Sequence, residues 1–175
     1  MDFNRIINFS TDVGTLMLEN GAETYRVEEI MSRICLAYGI EKVDVFVIPT
    51  NIIITIKVNE MAISRTRRVN NRTINLDKIS KLNNLSRNVT FNNLSIEAAE
   101  NKLNSIANEK EYSIKIKMLG YLITSSAFTL LFGGSFKDSL FSGFIGIILC
   151  ILEYFLNILK TNNFFINIIS GALVS

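Results

Sequence analysis

The sequence predicts an α+β domain with the element order αα-βββ-αα, followed by an all-helical membrane part. Three observations predict it. Charge is segregated: 16 of the 18 Lys+Arg and 14 of the 16 Asp+Glu precede Met118, and beyond it stand only Lys137, Asp138, Glu153 and Lys160. Within the charged part the spacing of apolar residues changes from three-and-four to two and back again, the signatures of helix, strand and helix. Between Lys117 and Lys137 lie 19 uncharged residues, Met118 to Phe136, which as a helix measure about 28 Å against a hydrocarbon core of about 30 Å. The mean hydropathy of +0.30, high for a chain with 19% charged residues, averages two unlike parts.

The first helix follows from Ile6, Phe9, Val13, Leu16 and Met17, which fall on one face, and Asn20-Gly21 ends it. Val27, Ile30, Met31, Ile34, Cys35 and Tyr38 mark a second helix, with Thr24 as N-cap and Gly39 as a stop able to take positive φ. Val43, Val45 and Val47 then alternate with Asp44, Phe46 and Ile48, and the turn Pro49-Thr50-Asn51 leads into the β-branched run Ile52-Ile53-Ile54-Thr55-Ile56. Asn59-Glu60 turns the chain into a third strand, Met61 to Arg68, completing an antiparallel meander. Alternation puts Arg65 and Arg67 on one face of that strand and Arg68 on the other. They read as a charge-blunted edge or as a basic cluster with Arg72. Two more helices follow, one capped by Asn75 with Leu76, Ile79 and Leu82 inward, the other capped by Ser95 with Ile96, Ala99, Leu103, Ile106 and Ala107 inward.

In the membrane part the expected spans are 118–136 and 139–159, and the apolar run 163–175 reads as a third span that is incomplete at about 22 Å. The domains are accordingly 1–112 and 113–175. Lys110, Lys115 and Lys117 before the first span and Lys160 after the second place the N-terminal domain in the cytoplasm, because basic residues stay inside. Glu153 stands near one end of the second span, where two readings hold, interfacial anchoring and a role in an ion pathway. Small residues recur at four-residue spacing, Gly120 with Thr124, Ser139 with Gly143 and Ser142 with Gly146, which suits close helix association. The expectation that the chain is a subunit or fragment follows from the incomplete third span.

Composition excludes several functions. The sequence has no His, which removes Ser-His and Cys-His dyads and His-ligated zinc. Its two cysteines, Cys35 and Cys150, lie on opposite sides of the composition break and form neither a disulfide framework nor a metal motif. A net charge of +2 without a dense basic patch argues against nucleic acid. Asp2 and the early break at Asn8 are unlike a signal peptide. No cofactor and no metal are expected, and the chain does not read as an enzyme.

The order of motifs resembles the threonine/serine exporter family, in the N-terminal half that joins a cytoplasmic domain to the first membrane helices. The matching stretches are Leu18-Glu19-Asn20-Gly21-Ala22-Glu23-Thr24-Tyr25-Arg26-Val27-Glu28; Val45-Phe46-Val47-Ile48-Pro49-Thr50; Arg72-Thr73-Ile74-Asn75-Leu76-Asp77-Lys78 with Asn83-Asn84-Leu85-Ser86-Arg87; and Leu131-Phe132-Gly133-Gly134-Ser135-Phe136-Lys137-Asp138. Asn51 stands where relatives often have Gly, and both tolerate positive φ. The resemblance implies a secondary exporter of threonine/serine-type amino acids or dicarboxylates such as succinate in the cytoplasmic membrane. It also implies membrane lipid, a second membrane half or partner subunit, and a small-molecule substrate as partners, and a homo-oligomer is a further expectation.

Within the matched residues, Gly21 permits the interhelix turn. Arg26 with Glu23 or Glu28 either ties helices by ion pairs or forms a substrate-sensing or gating surface, and Thr24, Pro49 and Thr50 complete the domain motif. Gly133, Gly134 and Ser135 leave backbone free at the membrane boundary, and Asp138 either contacts a proton or substrate ammonium or caps the second span. The rival functions are a membrane-anchored sensor or assembly module and a membrane-anchored hydrolase.

Overall fold

The computed structural model describes residues 2–58, 61–70, 72–109 and 112–158, with Ile168, Gly171 and Ala172. The Asn59-Glu60 turn and nearly all of the expected third span, 163–175, lie outside the described residues. The chain divides into two compact units, Met1–Glu109 and Lys110–Ser175.

In the first unit, helix α1 (Phe3–Glu19) begins where Asp2 accepts the Arg5 N–H at 3.2 Å. It buries Ile6, Phe9, Val13 and Met17, the apolar stripe that its sequence spacing dictates. Helix α2 (Thr24–Ala37) lies close against it. At Gly14 a Cβ would run into Met31 Sδ and stand 3.2 Å from Val27, so only glycine permits the approach. The N-cap of α2 is Glu23, whose side chain caps nothing, and Thr24 is already helical. The chain leaves Gly21 at φ 92 and needs one extended residue, Glu23 at φ −72 and ψ 140, before the helix can start. The Thr24 cap expected above is thereby corrected. Gly39, at φ 80, ends α2, and the Ile40 N–H reaches back to Cys35 O at 3.1 Å.

Strands β1 (Lys42–Ile48), β2 (Asn51–Val58) and β3 (Met61–Arg68) form an antiparallel sheet in the order β1-β2-β3. Val45 pairs with Ile54 and Val47 with Ile52, so one face carries the valines of β1 and the buried Ile52, Ile54 and Ile56. That face packs on α1 and α2. The other carries the exposed Phe46, Ile48 and Ile53. Helices α3 (Leu76–Phe91) and α4 (Ile96–Ala107) complete the unit, capped by Asn75 and Ser95, which accept the Lys78 and Ala98 N–H groups at 3.0 and 3.3 Å. Ile79, Leu82, Ala99, Leu103 and Ile106 enter the core as the spacing predicts. Leu76, 72% exposed, and Ala107 do not, because each sits at a helix terminus beyond the packed stripe.

The second unit is a helical hairpin of α5 (Ile114–Leu131) and α6 (Phe136–Ile158). Helix α5 starts upstream of the expected 118 and includes Lys115 and Lys117. It stops at Leu131 because Gly133, at φ 86, reverses the chain, and the Gly134 N–H returns to Thr129 O at 2.9 Å. Both helices are long and apolar enough to cross a membrane. None of α5 is buried, so its apolar surface is not the core of a soluble fold.

Candidate functional site

Three of the sequence motifs meet in the first unit. The α1–α2 turn at Gly21 is clasped by the segment after β3. The Thr73 N–H donates to Glu19 O at 2.8 Å, and the Asn75 N–H donates to Asn20 O at 3.0 Å. The Arg72 guanidinium donates to Leu18 O at 3.3 Å and to Ala22 O at 3.4 Å. A Cβ on Gly21 would stand 2.9 Å from Thr73 O, so positive φ and the clasp impose glycine together. One turn into α2, Glu28 accepts the Val47 N–H at 2.8 Å, joining the helix to the edge of the sheet. Beyond the tight turn at Pro49 and Thr50, the Val69 N–H donates to Thr50 O at 2.9 Å.

Glu28 thus satisfies backbone, and among the described residues Arg26 makes no ion pair with it or with Glu23. The ion-pair reading of Arg26 is corrected accordingly. Glu23, Tyr25 and Arg26 are exposed, and Glu23 beside the Tyr25 phenol raises its pKa. The ion pairs lie elsewhere. Arg67 meets Asp12 at 3.0 Å, and Arg5 grips Glu100 through two bonds of 3.0 and 2.6 Å. Burial pushes the Asp12 carboxyl up, against the pull of Arg67, whereas the Arg5 guanidinium holds the Glu100 carboxyl below the usual range. Burial also pushes the Cys35 thiol up to about 11, which leaves it un-ionised and inert at neutral pH.

In the hairpin the structure separates the two acidic residues to opposite ends of α6, 15 residues or about 22 Å apart. At the tip, Asp138 Oδ2 accepts the Ser135 N–H at 2.9 Å and the Ser135 O–H at 2.7 Å, while Ser135 Oγ accepts the Asp138 N–H at 3.3 Å. This is a reciprocal capping box on the first turn of α6. Gly133 supplies the positive φ. At Gly134 a Cβ would lie 2.9 Å from Thr129 O. At the other end Tyr121 of α5 donates its phenolic O–H to Glu153 Oε2.

Between these ends runs a seam of small and hydroxyl-bearing residues. Ser126 and Ser139 exchange hydroxyl-to-carbonyl bonds of 2.9 and 3.0 Å, and Ser142 donates to Ser125 O at 3.2 Å. A Cβ on Gly146 would sit 2.8 Å from Tyr121 O, and one on Gly143 would press on Ser126 Oγ at 2.5 Å. The pairs Ser139 with Gly143 and Ser142 with Gly146 therefore lie in the helix contact. Gly120 and Thr124 lie on the exposed face, and a Cβ on Gly120 meets nothing within 4 Å.

The hydroxyls of Ser126, Ser139 and Ser142 each donate to a backbone carbonyl, so these three hold the helices together. Sequence reading missed Tyr121, Ser125 and Ser126. For Tyr121 and Ser125 the signal was the four-residue recurrence Tyr121, Ser125, Thr129 on α5. Among the described residues no group of three or more Cys, Asp or Glu could hold a metal.

No curated protein and no solved structure matches the chain. A family model described as "putative threonine/serine exporter" matches residues 8–175, which span the first unit, the hairpin and all four motifs. With two helices of membrane-crossing length behind an α+β unit, the chain belongs to the threonine/serine exporter family of membrane transporters.

Proposed function

We propose that this chain is one part of a secondary exporter that moves small polar metabolites, threonine- and serine-type amino acids or dicarboxylates such as succinate, out across the cytoplasmic membrane. The observation that carries this reading is the α5–α6 hairpin, apolar and exposed on its outside and closed by hydroxyls and glycines on its inside. Such a surface is stable only against lipid or further helices. A hairpin alone encloses no path. A second membrane half or partner subunit, or further copies of the chain, must supply the rest.

Lys115 and Lys117 at the start of α5, against Lys137 at the tip, orient the chain with its domain 1–112 in the cytoplasm and the Gly133-Gly134-Ser135 turn outside. In that orientation Asp138 faces the exit and Glu153 the cytoplasmic side. The test is efflux from vesicles loaded separately with threonine, serine and succinate and carrying the full chain with its membrane partner. Efflux of at least one driven by an imposed gradient is expected, and retention of all three overturns the reading. Orientation is read independently from Ser135→Cys, which an impermeant maleimide should label from outside in intact cells.

A further inference from the structure

Resting on that reading, we propose that the Glu153 carboxylate, oriented by the Tyr121 phenol, is the site that takes the ammonium group of an exported amino acid. An acid inside an apolar helix is costly to place, and where it occurs it pairs with a cation or a hydrogen-bond donor or serves a transport path. Among the described residues it accepts from one donor. Tyr121 reaches across from α5 to one carboxylate oxygen, Oε2, and fixes the side chain while the carboxylate keeps a second oxygen for a ligand.

The surroundings suit a small zwitterion rather than a structural bond alone. Glu153 and Tyr121 are both half-buried, open enough for a ligand to approach, and the adjacent Tyr154 and Phe155 are exposed aromatic rings. Among the described residues, the groups with charge or a titratable proton around the pair are Lys117, one turn before Tyr121 on α5, Cys150, one turn before Glu153 on α6, and Tyr154 beside Glu153.

Asp138 is the weaker candidate for the same role. Its Oδ2 takes both Ser135 donors, and its charge already serves the N-terminus of α6. Between the two ends, Ser126, Ser139 and Ser142 likewise give their hydroxyls to backbone carbonyls.

The experiment compares binding of radiolabelled L-threonine and of 3-hydroxybutyrate, which keeps the carboxylate and hydroxyl but lacks the ammonium, to the full chain with its membrane partner in nanodiscs. Wild type should prefer threonine by about tenfold or more, the scale of one charge-assisted hydrogen bond. Glu153→Gln should erase that preference. Tyr121→Phe should weaken threonine several-fold, and Glu153→Asp, which keeps the charge, should retain part of the preference.

A preference that survives in Glu153→Gln overturns the inference, as does wild type binding both compounds equally or neither. Should Glu153→Gln not assemble, Glu153→Asp and Tyr121→Phe decide on the same ratio. An unchanged ratio in both overturns the assignment. Vesicle efflux separates this from the exporter reading: efflux of succinate but never of threonine leaves the exporter standing and removes the ammonium site.

Discussion

The two units of this chain are built on opposite plans. Met1–Glu109 hides large apolar side chains, Phe9, Met17, Met31, Ile54 and Leu82 among them, and turns its ion pairs outward. The α5–α6 hairpin hides Ser139, Gly143 and Gly146 and turns Phe128, Phe141 and Phe144 outward. In water the first plan gains from every apolar group removed from solvent. In lipid that drive vanishes, and close packing with hydroxyl-to-carbonyl bonds takes its place. The difference teaches that burial of a side chain predicts its energetic weight only once the solvent of its unit is known.

The contrast is sharpest for a pair of truncations. Leu82→Ala, at a fully buried site, should destabilise the first unit by about 2–5 kcal/mol. Phe144→Ala removes a larger side chain but one 58% exposed, and should leave hairpin stability almost unchanged in micelles. Denaturant titration of the full chain in detergent, followed by circular dichroism, measures both. Equal losses would break the comparison.

Next in size is a pair of glycines in the hairpin. Gly146→Ala forces a methyl against Tyr121 O and should cost about 1–3 kcal/mol, as overpacking does, whereas Gly120→Ala enters open space and should be neutral. A cysteine pair on the facing helices, scored for cross-linking, reports the loosening expected of the first and absent in the second.

The smallest effect is electrostatic and confined to the first unit. Because Arg5 depresses the Glu100 carboxyl in the folded state, its contribution is present above the unfolded carboxylate range and fades as pH falls through the lower folded value. Glu100→Gln should therefore lower stability slightly in the neutral region, leave the most acidic region unchanged, and so flatten the acid limb of stability against pH. Both side chains are about a third exposed or more, so the effect is that of a surface ion pair. An unaltered acid limb would show that the pair carries no weight.

Much of the first unit was legible because its signals are local. Three-and-four spacing, the Asn75 and Ser95 caps and the alternation of β1 and β2 each act within a few residues, and all reappear in the fold. The α5 boundary was misread for a physical reason. Charge marks the edge of the apolar run in the sequence, yet a helix with apolar body residues carries Lys115 and Lys117 in its first turn without penalty where long side chains reach water. The decisive contacts of the candidate site were illegible because they join distant positions. Nothing near Tyr121 marks its bond to Glu153, 32 residues on, and nothing near Gly21 announces Arg72.

The clasp at Gly21 also sets an order of events. Its partners, Glu19 and Thr73, are 54 residues apart, so the bond between them closes a loop that contains α2 and the whole sheet. Such a closure must wait for the entropy of the intervening chain to be spent. The α1–α2 turn, short and seemingly local, is thus finished only after the meander has formed. It acts as a latch that waits for the meander to bring Thr73 back, and a chain stopped before Thr73 should keep the turn's own bonds, Ala22 N–H to Met17 O at 3.0 Å among them, without the clasp.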